Sequence, residues 1–484
     1  MNQSIKKNYI LNTVYQILAL ITPLITAPYI SRVLGAEGVG DYSFTYSVSA
    51  VFSMFAILGT TTYGQRAIAQ IREDREALSK TFWEIECVSL LSMCVTLLAW
   101  FVFILVYPKH KLLFLILTLE ILSSGADISW FYSGLERFSF IVFRNSAIKI
   151  SGIILLFLLV KNRQDLWIYL FIMGGSRFLG NLSMWITLRR FVHRVRIKQL
   201  QLKGHLKNTF AYFIPTIAAS VYSYLDKVMI GVFTTSSVEN GYYEQAQKIV
   251  RVGYTIIISL NTVMSSRMSF LFARNSIDEI KVRLERSLAF ILTFSIPIVF
   301  GICAIANNFV PWFYGDEFNK VILLLYLSSP LVVILSMHNF LASQYLIPSG
   351  QRVRSTKGVV IGAVTNFIFN LILIPMFQSV GAIIATVLAE SSICIVYYIM
   401  SREIVTLKMV LKYVPKQLFA SIVMGIVISF IGRNATGSIK ITVLQIAVGV
   451  LLYAILLLVM RERFFVAAVN DTLRKMMKRI RHNS

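Results

Sequence analysis

Apolar stretches long enough to cross a bilayer alternate with short polar loops along most of the chain. A crossing helix needs roughly 20 predominantly apolar residues. About fourteen stretches meet that requirement: 8–30, 42–64, 82–107, 112–133, 139–160, 166–188, 209–233, 241–266, 287–310, 321–347, 356–376, 380–401, 415–432 and 441–460. The pattern predicts an all-α integral membrane protein. The Lys and Arg gather in every second loop, and cytoplasmic loops collect these residues.

Taken from the inside, the basic segments hold Lys6 and Lys7; Arg66, Arg72, Arg75 and Lys80; Arg137; and a run from Arg189 to Lys207. They continue with Arg267 to Arg286, Arg352 and Arg354, Arg402 to Lys412, and the tail from Arg461. The opposite loops hold few cations, among them Arg32, Lys109, Lys111, Lys161, Arg163, Lys320, Arg433 and Lys440. A missed or invented crossing would invert the alternation after it, and no inversion occurs. Both termini are therefore expected in the cytoplasm of a multi-pass protein.

The longest inner loop, 189–208, divides the chain and is expected to carry a basic surface helix. This gives a first lobe of six helices (1–188), a second of six (209–402), a pair of helices over 403–460 and a basic tail over 461–484. A Gly-x-Tyr echo supports the repeat. Gly40-Asp41-Tyr42 and Gly241-Tyr242-Tyr243 each stand at the start of a span, with a thinner match at Gly381-Ala382. Internal repeats are the usual construction of secondary transporters.

Composition narrows the class. The chain has 484 residues, 56% hydrophobic and 14% charged, with mean hydropathy +0.70. Soluble domains average about 25% charged residues. The formal net charge of +24 would point to nucleic acid in a soluble chain. Here the cations sit where the positive-inside rule places them, so no nucleic-acid partner is expected. No small-residue cleavage site closes a short apolar core after Lys7, so the first stretch reads as a span and not a removable signal. Cys87, Cys94, Cys303 and Cys394 lack metal-ligand spacing and read as packing residues. No phosphate-binding Gly-rich loop precedes a Lys-Ser/Thr pair, and no His-Glu-x-x-His occurs. The five histidines, His110, His193, His205, His338 and His482, are scattered. No catalytic site, metal or organic cofactor is expected, and the driving force would be a gradient of H⁺, Na⁺ or the substrate itself.

Ionisable residues within spans are costly and therefore mark candidate sites. Glu84, Glu86, Glu120, Asp127, Arg144, Lys149, Arg177, Asp226, Lys227, Glu244, Lys248, Arg251 and Glu390 all lie there. Depth sorts them, since a helix rises about 1.5 Å per residue. Arg177, after Gly174-Gly175-Ser176, stands near the midplane and needs a wet cavity or a carboxylate. Depth matching pairs Asp127 with Arg144, Glu120 with Lys149, and Asp226 with Lys248. Glu390 has no basic residue at its depth in the preceding span, so its burial should favour the protonated form. Glu84 and Glu86, near the inner interface, are expected to be solvated. Pro23, Pro28, Pro215, Pro297 and Pro375 are expected to bend or interrupt spans.

Several segments resemble one known family. These are Pro28-Tyr29-Ile30-Ser31-Arg32-Val33-Leu34-Gly35 with Gly38-Val39-Gly40, Leu225-Asp226-Lys227-Val228-Met229-Ile230-Gly231, and Tyr345-Leu346-Ile347-Pro348-Ser349-Gly350. With Asn366, Asn370, Ile374-Pro375 and Gly381-Ala382 they look like the polysaccharide-exporter, Wzx-like oligosaccharide flippases. That family shares a superfamily with MATE multidrug exporters and lipid II flippases. The resemblance runs from residue 8 to about 402; the last two spans match in number rather than motif. It implies a two-lobed MATE-like bundle with alternating access, in a bacterial or archaeal cytoplasmic membrane. The implied cargo is an undecaprenyl-diphosphate-linked oligosaccharide for capsule, O-antigen or exopolysaccharide synthesis. Partners would be membrane lipids and polysaccharide polymerase or assembly proteins.

A diphosphate calls for cations, and Arg suits phosphate. Candidate substrate-binding residues are Arg177, Lys149, Lys227, Lys248, Arg251 and Arg32; candidate ion-coupling residues are Glu390, Asp226, Glu120 and Asp127. The alternative of a cation-coupled drug antiporter would favour acidic residues at the midplane. A glycan polymerase or ligase would show a large outer loop. The topology is testable by labelling: a cysteine at Lys198 should stay unreactive to a membrane-impermeant maleimide in intact cells and react after lysis. Ready labelling from outside would contradict it.

Overall fold

A computed structural model describes residues 5–433, 435–471 and 474, without the side chains of 5–17, 19–20, 197, 214–216, 218–223, 259–263 and 266. The Pro215 side chain and the tail cations Lys475, Lys478, Arg479 and Arg481 therefore lie outside the described residues. The described secondary structure is helical throughout. The chain packs as two compact units, Met1–Gly241 and Tyr242–Ser484.

The first unit holds α1 (Ile5–Ile57), α2 (Thr60–Ile71), α3 (Arg75–Val106), α4 (Lys111–Gly125), α5 (Ser129–Gly134), α6 (Phe138–Leu159), α7 (Leu166–Leu188), α8 (Leu202–Phe233) and the start of α9 (Ser237–Ala273). The second holds the rest of α9, then α10 (Ile277–Tyr314), α11 (Lys320–Ser328), α12 (Leu331–Phe340), α13 (Arg352–Phe377), α14 (Ser379–Ser401), α15 (Leu407–Leu411), α16 (Val414–Gly432) and α17 (Ile439–Val459). Ten helical segments among the described residues are long and apolar enough to cross a membrane. The 53 residues of α1 would span about 80 Å as one helix, against a hydrocarbon core of about 30 Å. The backbone leaves helical geometry at Gly35 (φ 68°, ψ 178°), which divides α1 into two segments.

Two of the helices, α13 and α17, are built inside out relative to soluble ones. α13 buries Ser355, Gly358, Gly362, Asn366 and Asn370, while Val360, Ile361, Val364 and Phe367 stay exposed. α17 buries Thr442, Gln445, Gly449 and Tyr453 and exposes Leu444, Val450, Leu451 and Ile455. Lipid solvates the apolar face, so association relies on small residues and interhelical hydrogen bonds. In the second unit these bonds tie α16 and α17 to α10. Asn308 Nδ2 donates to the Gly432 and Ala435 carbonyls at 3.0 Å each. Trp312 Nε1 donates to Thr442 Oγ1 at 2.8 Å, and the Tyr453 hydroxyl to the Thr293 carbonyl at 2.8 Å.

Two expectations change. No surface helix forms in the basic loop, which has only a 3₁₀ turn at Ile197–Gln199. α8 instead starts at Leu202, fastened by Glu84, and it packs on α1, α2 and α3 of the first unit. Glu84 is buried and not solvated: it accepts the Gln201 backbone N–H at 2.8 Å and lies 2.9 Å from His205 Nε2. Glu86 is also fully buried. At the opposite end of α3, His110 sits 3.5 Å from Asp41. Burial pushes its imidazole below the ordinary histidine range, with Asp41 opposing and Lys109 adding to the effect.

The Gly-x-Tyr echo has a packing explanation in the first unit. A Cβ at Gly40 would collide with the Ser237 carbonyl, and one at Gly241 with the Ala36 carbonyl. The two repeat glycines thus let the ends of two helices meet backbone to backbone. Overpacking a tight contact typically costs about 1–3 kcal/mol. Gly40→Val and Gly241→Val should each lower the melting temperature of the purified protein by several degrees. Gly204→Val is the control, since nothing stands within 4 Å of its Cβ position. Equal melting temperatures for all three would contradict the close-contact account.

Candidate functional site

The first unit encloses a cavity of about 470 Å³ between α1, α4, α6 and α7. Its charged lining is Arg144, Lys149, Arg177 and Asp127, and its polar lining includes Thr22, Thr26, Ser123 and Asn181. The cations come from two helices. Arg144 and Lys149 both come from α6. Arg177 stands midway along α7, roughly 16 Å from either end at 1.5 Å per residue.

The placement of Arg177 follows from how α7 seats on α4. Gly174 lets the helices close up: its Cβ position is 3.3 Å from the Leu119 side chain. Asn181 Nδ2 donates to the Ser123 carbonyl and hydroxyl at 2.8 and 3.0 Å. Trp185 Nε1 donates to the Ala126 carbonyl at 2.9 Å, and the Tyr132 hydroxyl to the Met184 carbonyl at 2.7 Å. This register brings the buried carboxylate of Glu120 into an ion pair with Arg177. Arg177 Nη1 also donates to the Tyr46 hydroxyl at 3.5 Å. The Arg177 side chain remains 51% exposed while Glu120 is 5% exposed. The guanidinium therefore faces the cavity and the carboxylate backs it.

The other cavity charges are held locally. Arg144 Nε donates to Asn145 Oδ1 at 3.1 Å, and its guanidinium also contacts the Met184 sulfur. Asp127 Oδ1 accepts the Ser129 backbone N–H at 2.8 Å. Of the candidate residues from sequence, Arg177, Lys149 and Asp127 line the cavity and Glu120 stands behind it. Glu120 pairs with Arg177, where depth matching had set it against Lys149. Arg144, taken from sequence only as a partner for Asp127, also lines the cavity.

The remaining candidates lie elsewhere. Arg32 is exposed on α1, and Asp226 and Lys227 are buried neighbours on α8. In the second unit Lys248 lies 3.4 Å from Glu244, one turn earlier on α9, and Arg251 is exposed. Glu390 has a basic neighbour from another span: His338 Nδ1 lies 2.8 Å from Glu390 Oε2. That partner comes from α12, outside the preceding span to which the depth comparison was confined. The second unit also has a larger cleft of about 890 Å³ between α10, α11 and α16. Its rim residues Ile426 and Phe430 are 65% and 74% exposed, and Arg433 is its one charged lining residue. It is an outward-facing apolar surface rather than a polar site.

Comparison with known proteins agrees with this architecture. A family profile described as "Polysaccharide biosynthesis protein" matches residues 5–269, more than half of the chain. The chain belongs to that family. A Shigella dysenteriae protein named for O-antigen transport is 23% identical over 391 residues, covering 80% of this chain and 97% of that protein. Its counterpart in Escherichia coli K12 is 22% identical over 399 residues, covering 80% and 94%. Among solved structures, the lipid II flippase MurJ in an inward closed conformation superposes with TM-score 0.72 at 18% identity, covering 93% of this chain and 97% of that one. An inward-facing MATE-family multidrug transporter superposes with TM-score 0.62 at 13% identity, covering 80% and 94%. This member of the family is an all-helical, multi-pass membrane protein with a MATE-like fold.

Proposed function

We propose that the protein is a flippase for a lipid-linked oligosaccharide, moving an undecaprenyl-diphosphate-linked repeat unit across the cytoplasmic membrane for polysaccharide synthesis. The observation that carries this reading is the cationic cavity held inside an apolar helical unit. Three cations and one carboxylate line it. Two of the cations are Arg, whose planar donors match phosphate oxygens. A buried charge excess of this sign suits an anionic headgroup and disfavours a cationic drug. The family membership and the relatives named for O-antigen transport support the same substrate class.

In this reading the protein makes fourteen crossings, with both termini and the 189–208 segment in the cytoplasm. The first crossing pair is the divided α1, and α7, α8 and α9 complete the count alongside the ten apolar segments. The sugar passes through the polar interior while the polyprenyl chain stays in lipid. Transport proceeds by alternating access, without a covalent step, and the product passes to polymerase and assembly proteins.

Glu120 has a defined part in this scheme. It neutralises Arg177 in the empty cavity, so the guanidinium is not left as an uncompensated buried charge. An incoming diphosphate takes over that role and displaces the carboxylate. Hydrogen bonds to charged groups contribute about 1.5–3 kcal/mol each, roughly ten- to a hundredfold in affinity. Arg177→Ala should therefore cut export and headgroup binding by at least about tenfold with normal membrane insertion, and Arg177→Lys should keep part of both. Glu120→Gln should bind the diphosphate lipid more tightly and release it more slowly. Native-rate flipping by Arg177→Ala in reconstituted vesicles would remove the cavity from the transport path.

A further inference from the structure

The first unit has a second cationic cleft, of about 420 Å³, which shares no lining residue with the cavity around Arg177. Arg72, Arg75, Arg137 and Arg190 line it together with Glu73, and its apolar lining includes Leu135 and Phe191. The guanidiniums come from three separate stretches of chain: the link between α2 and α3, the link between α5 and α6, and the end of α7. A positive-inside bias asks only that cations lie on one side of the membrane. It does not ask that they converge on one cleft, nor that all four be Arg.

Each stretch is held by its backbone. Asp74 caps α3, its Oδ1 accepting the Glu76 and Ala77 N–H groups at 3.0 Å each, so Arg75 opens the helix. α5 ends through Glu136 at φ 58°. There the Arg137 N–H donates to the Tyr132 carbonyl at 2.9 Å and the Glu136 N–H to the Ser133 carbonyl at 3.0 Å. Such paired bonds close a helix end and fix the chain that leaves it. Beyond α7, the Phe191 N–H donates to the Leu188 carbonyl at 2.9 Å and the His193 N–H to Ser79 Oγ at 3.1 Å. Side chains then tie the stretches to one another. Arg75 Nη2 donates to the Arg190 carbonyl at 3.4 Å, the Arg137 guanidinium lies 4.5 Å from the Phe191 ring centroid, and Arg72 Nη1 pairs with Glu136 Oε1 at 2.7 Å. Donors held in this way lose little freedom when a ligand arrives.

The charge of the cleft is not balanced from within. Glu73 and Glu136 stand against four guanidiniums, and among the described residues no carboxylate pairs with Arg75, Arg137 or Arg190. An anion completes such a site, and Arg holds phosphate through parallel N–H donors. The position points to a lipid as the source. Arg75 is the first residue of α3, Arg137 directly precedes α6, and Arg190 lies just beyond α7. α3 and α6 are both apolar enough to cross a membrane, so their ends mark its surface. Trp83 and Trp185 follow inward along α3 and α7 with ring centroids 6.4 Å apart, and such rings favour the membrane–water interface. Leu179, Leu182 and Ile186, exposed at helical spacing on α7, make an apolar stripe that runs toward Arg190. Basic pockets between membrane helices hold phosphate headgroups, and the stripe offers an acyl chain a surface that a soluble phosphate would not use.

We propose that this cleft binds the phosphate headgroup of an anionic membrane phospholipid, which clasps the ends of α3, α6 and α7. The site does not depend on the flippase reading; only its assignment to the cytoplasmic leaflet rests on the proposed topology. Native mass spectrometry of the full chain in a neutral detergent, titrated with phosphatidylglycerol or phosphatidylcholine, tests it. The native protein should bind phosphatidylglycerol at least about tenfold more tightly than phosphatidylcholine. Arg137→Gln/Arg190→Gln should weaken phosphatidylglycerol binding by at least about tenfold. Arg352→Gln/Arg354→Gln, which removes the same charge from the start of α13, should leave it unchanged. Glu73→Gln should tighten it severalfold, a gain that a misfolded variant does not give. Glycerol phosphate, the same anion without acyl chains, should displace the lipid only in large excess. Equal affinity for the two lipids, native affinity in Arg137→Gln/Arg190→Gln, or an equal loss in Arg352→Gln/Arg354→Gln overturns the proposal. So does the absence of a gain in Glu73→Gln, and glycerol phosphate that binds as tightly as the lipid makes the site one for a soluble phosphate instead and overturns it too.

Discussion

The Arg177–Glu120 ion pair is the contact on which the first unit is arranged. A guanidinium halfway along a membrane helix has no route by which to snorkel to water. It must be paired or wet, and here it is both: Glu120 backs it while half of its side chain faces the cavity. The features around it serve that position. Gly174 closes the gap between α7 and α4, and Asn181, Trp185 and Tyr132 fix the register with four hydrogen bonds. Slide α7 by a turn, about 5.4 Å, and the guanidinium would lose its contact with Glu120.

The same physics organises the second unit in a different chemical form. Its buried polar groups are mostly neutral amides and hydroxyls that hold helices together, such as Asn308, Gln445 and Tyr453. The His338–Glu390 pair departs from this rule, with a base and an acid both enclosed. One unit thus concentrates positive charge in a cavity, and the other brings an imidazole beside a buried carboxyl group.

How much of this was legible in the sequence depends on whether the property is local. Hydropathy is local, so most apolar segments and the basic loops stand out without any structure. The depth of Arg177 is also local, since it follows from counting residues along one helix. Rotation about the helix axis is not: depth alone set Glu120 against Lys149, whereas the seating of α7 on α4 turns it to Arg177. The Gly-x-Tyr echo was visible as a repeat, but the backbone contact between Gly40 and Gly241 is tertiary. His338 was passed over because it has no metal-ligand spacing and sits in a span not adjacent in sequence to that of Glu390. Glu84 looked like an interfacial carboxylate until the start of α8 folded onto it. A midspan carboxylate is a reason to search every span for a histidine at the same depth.

The central claim is that the cationic cavity receives the diphosphate. It is tested most directly by an electron cryo-microscopy structure of the protein bound to its lipid-linked oligosaccharide. The account predicts diphosphate density among Arg144, Lys149 and Arg177, with Glu120 displaced from the guanidinium. A diphosphate resolved outside this cavity, with the Arg177–Glu120 pair intact, would contradict it.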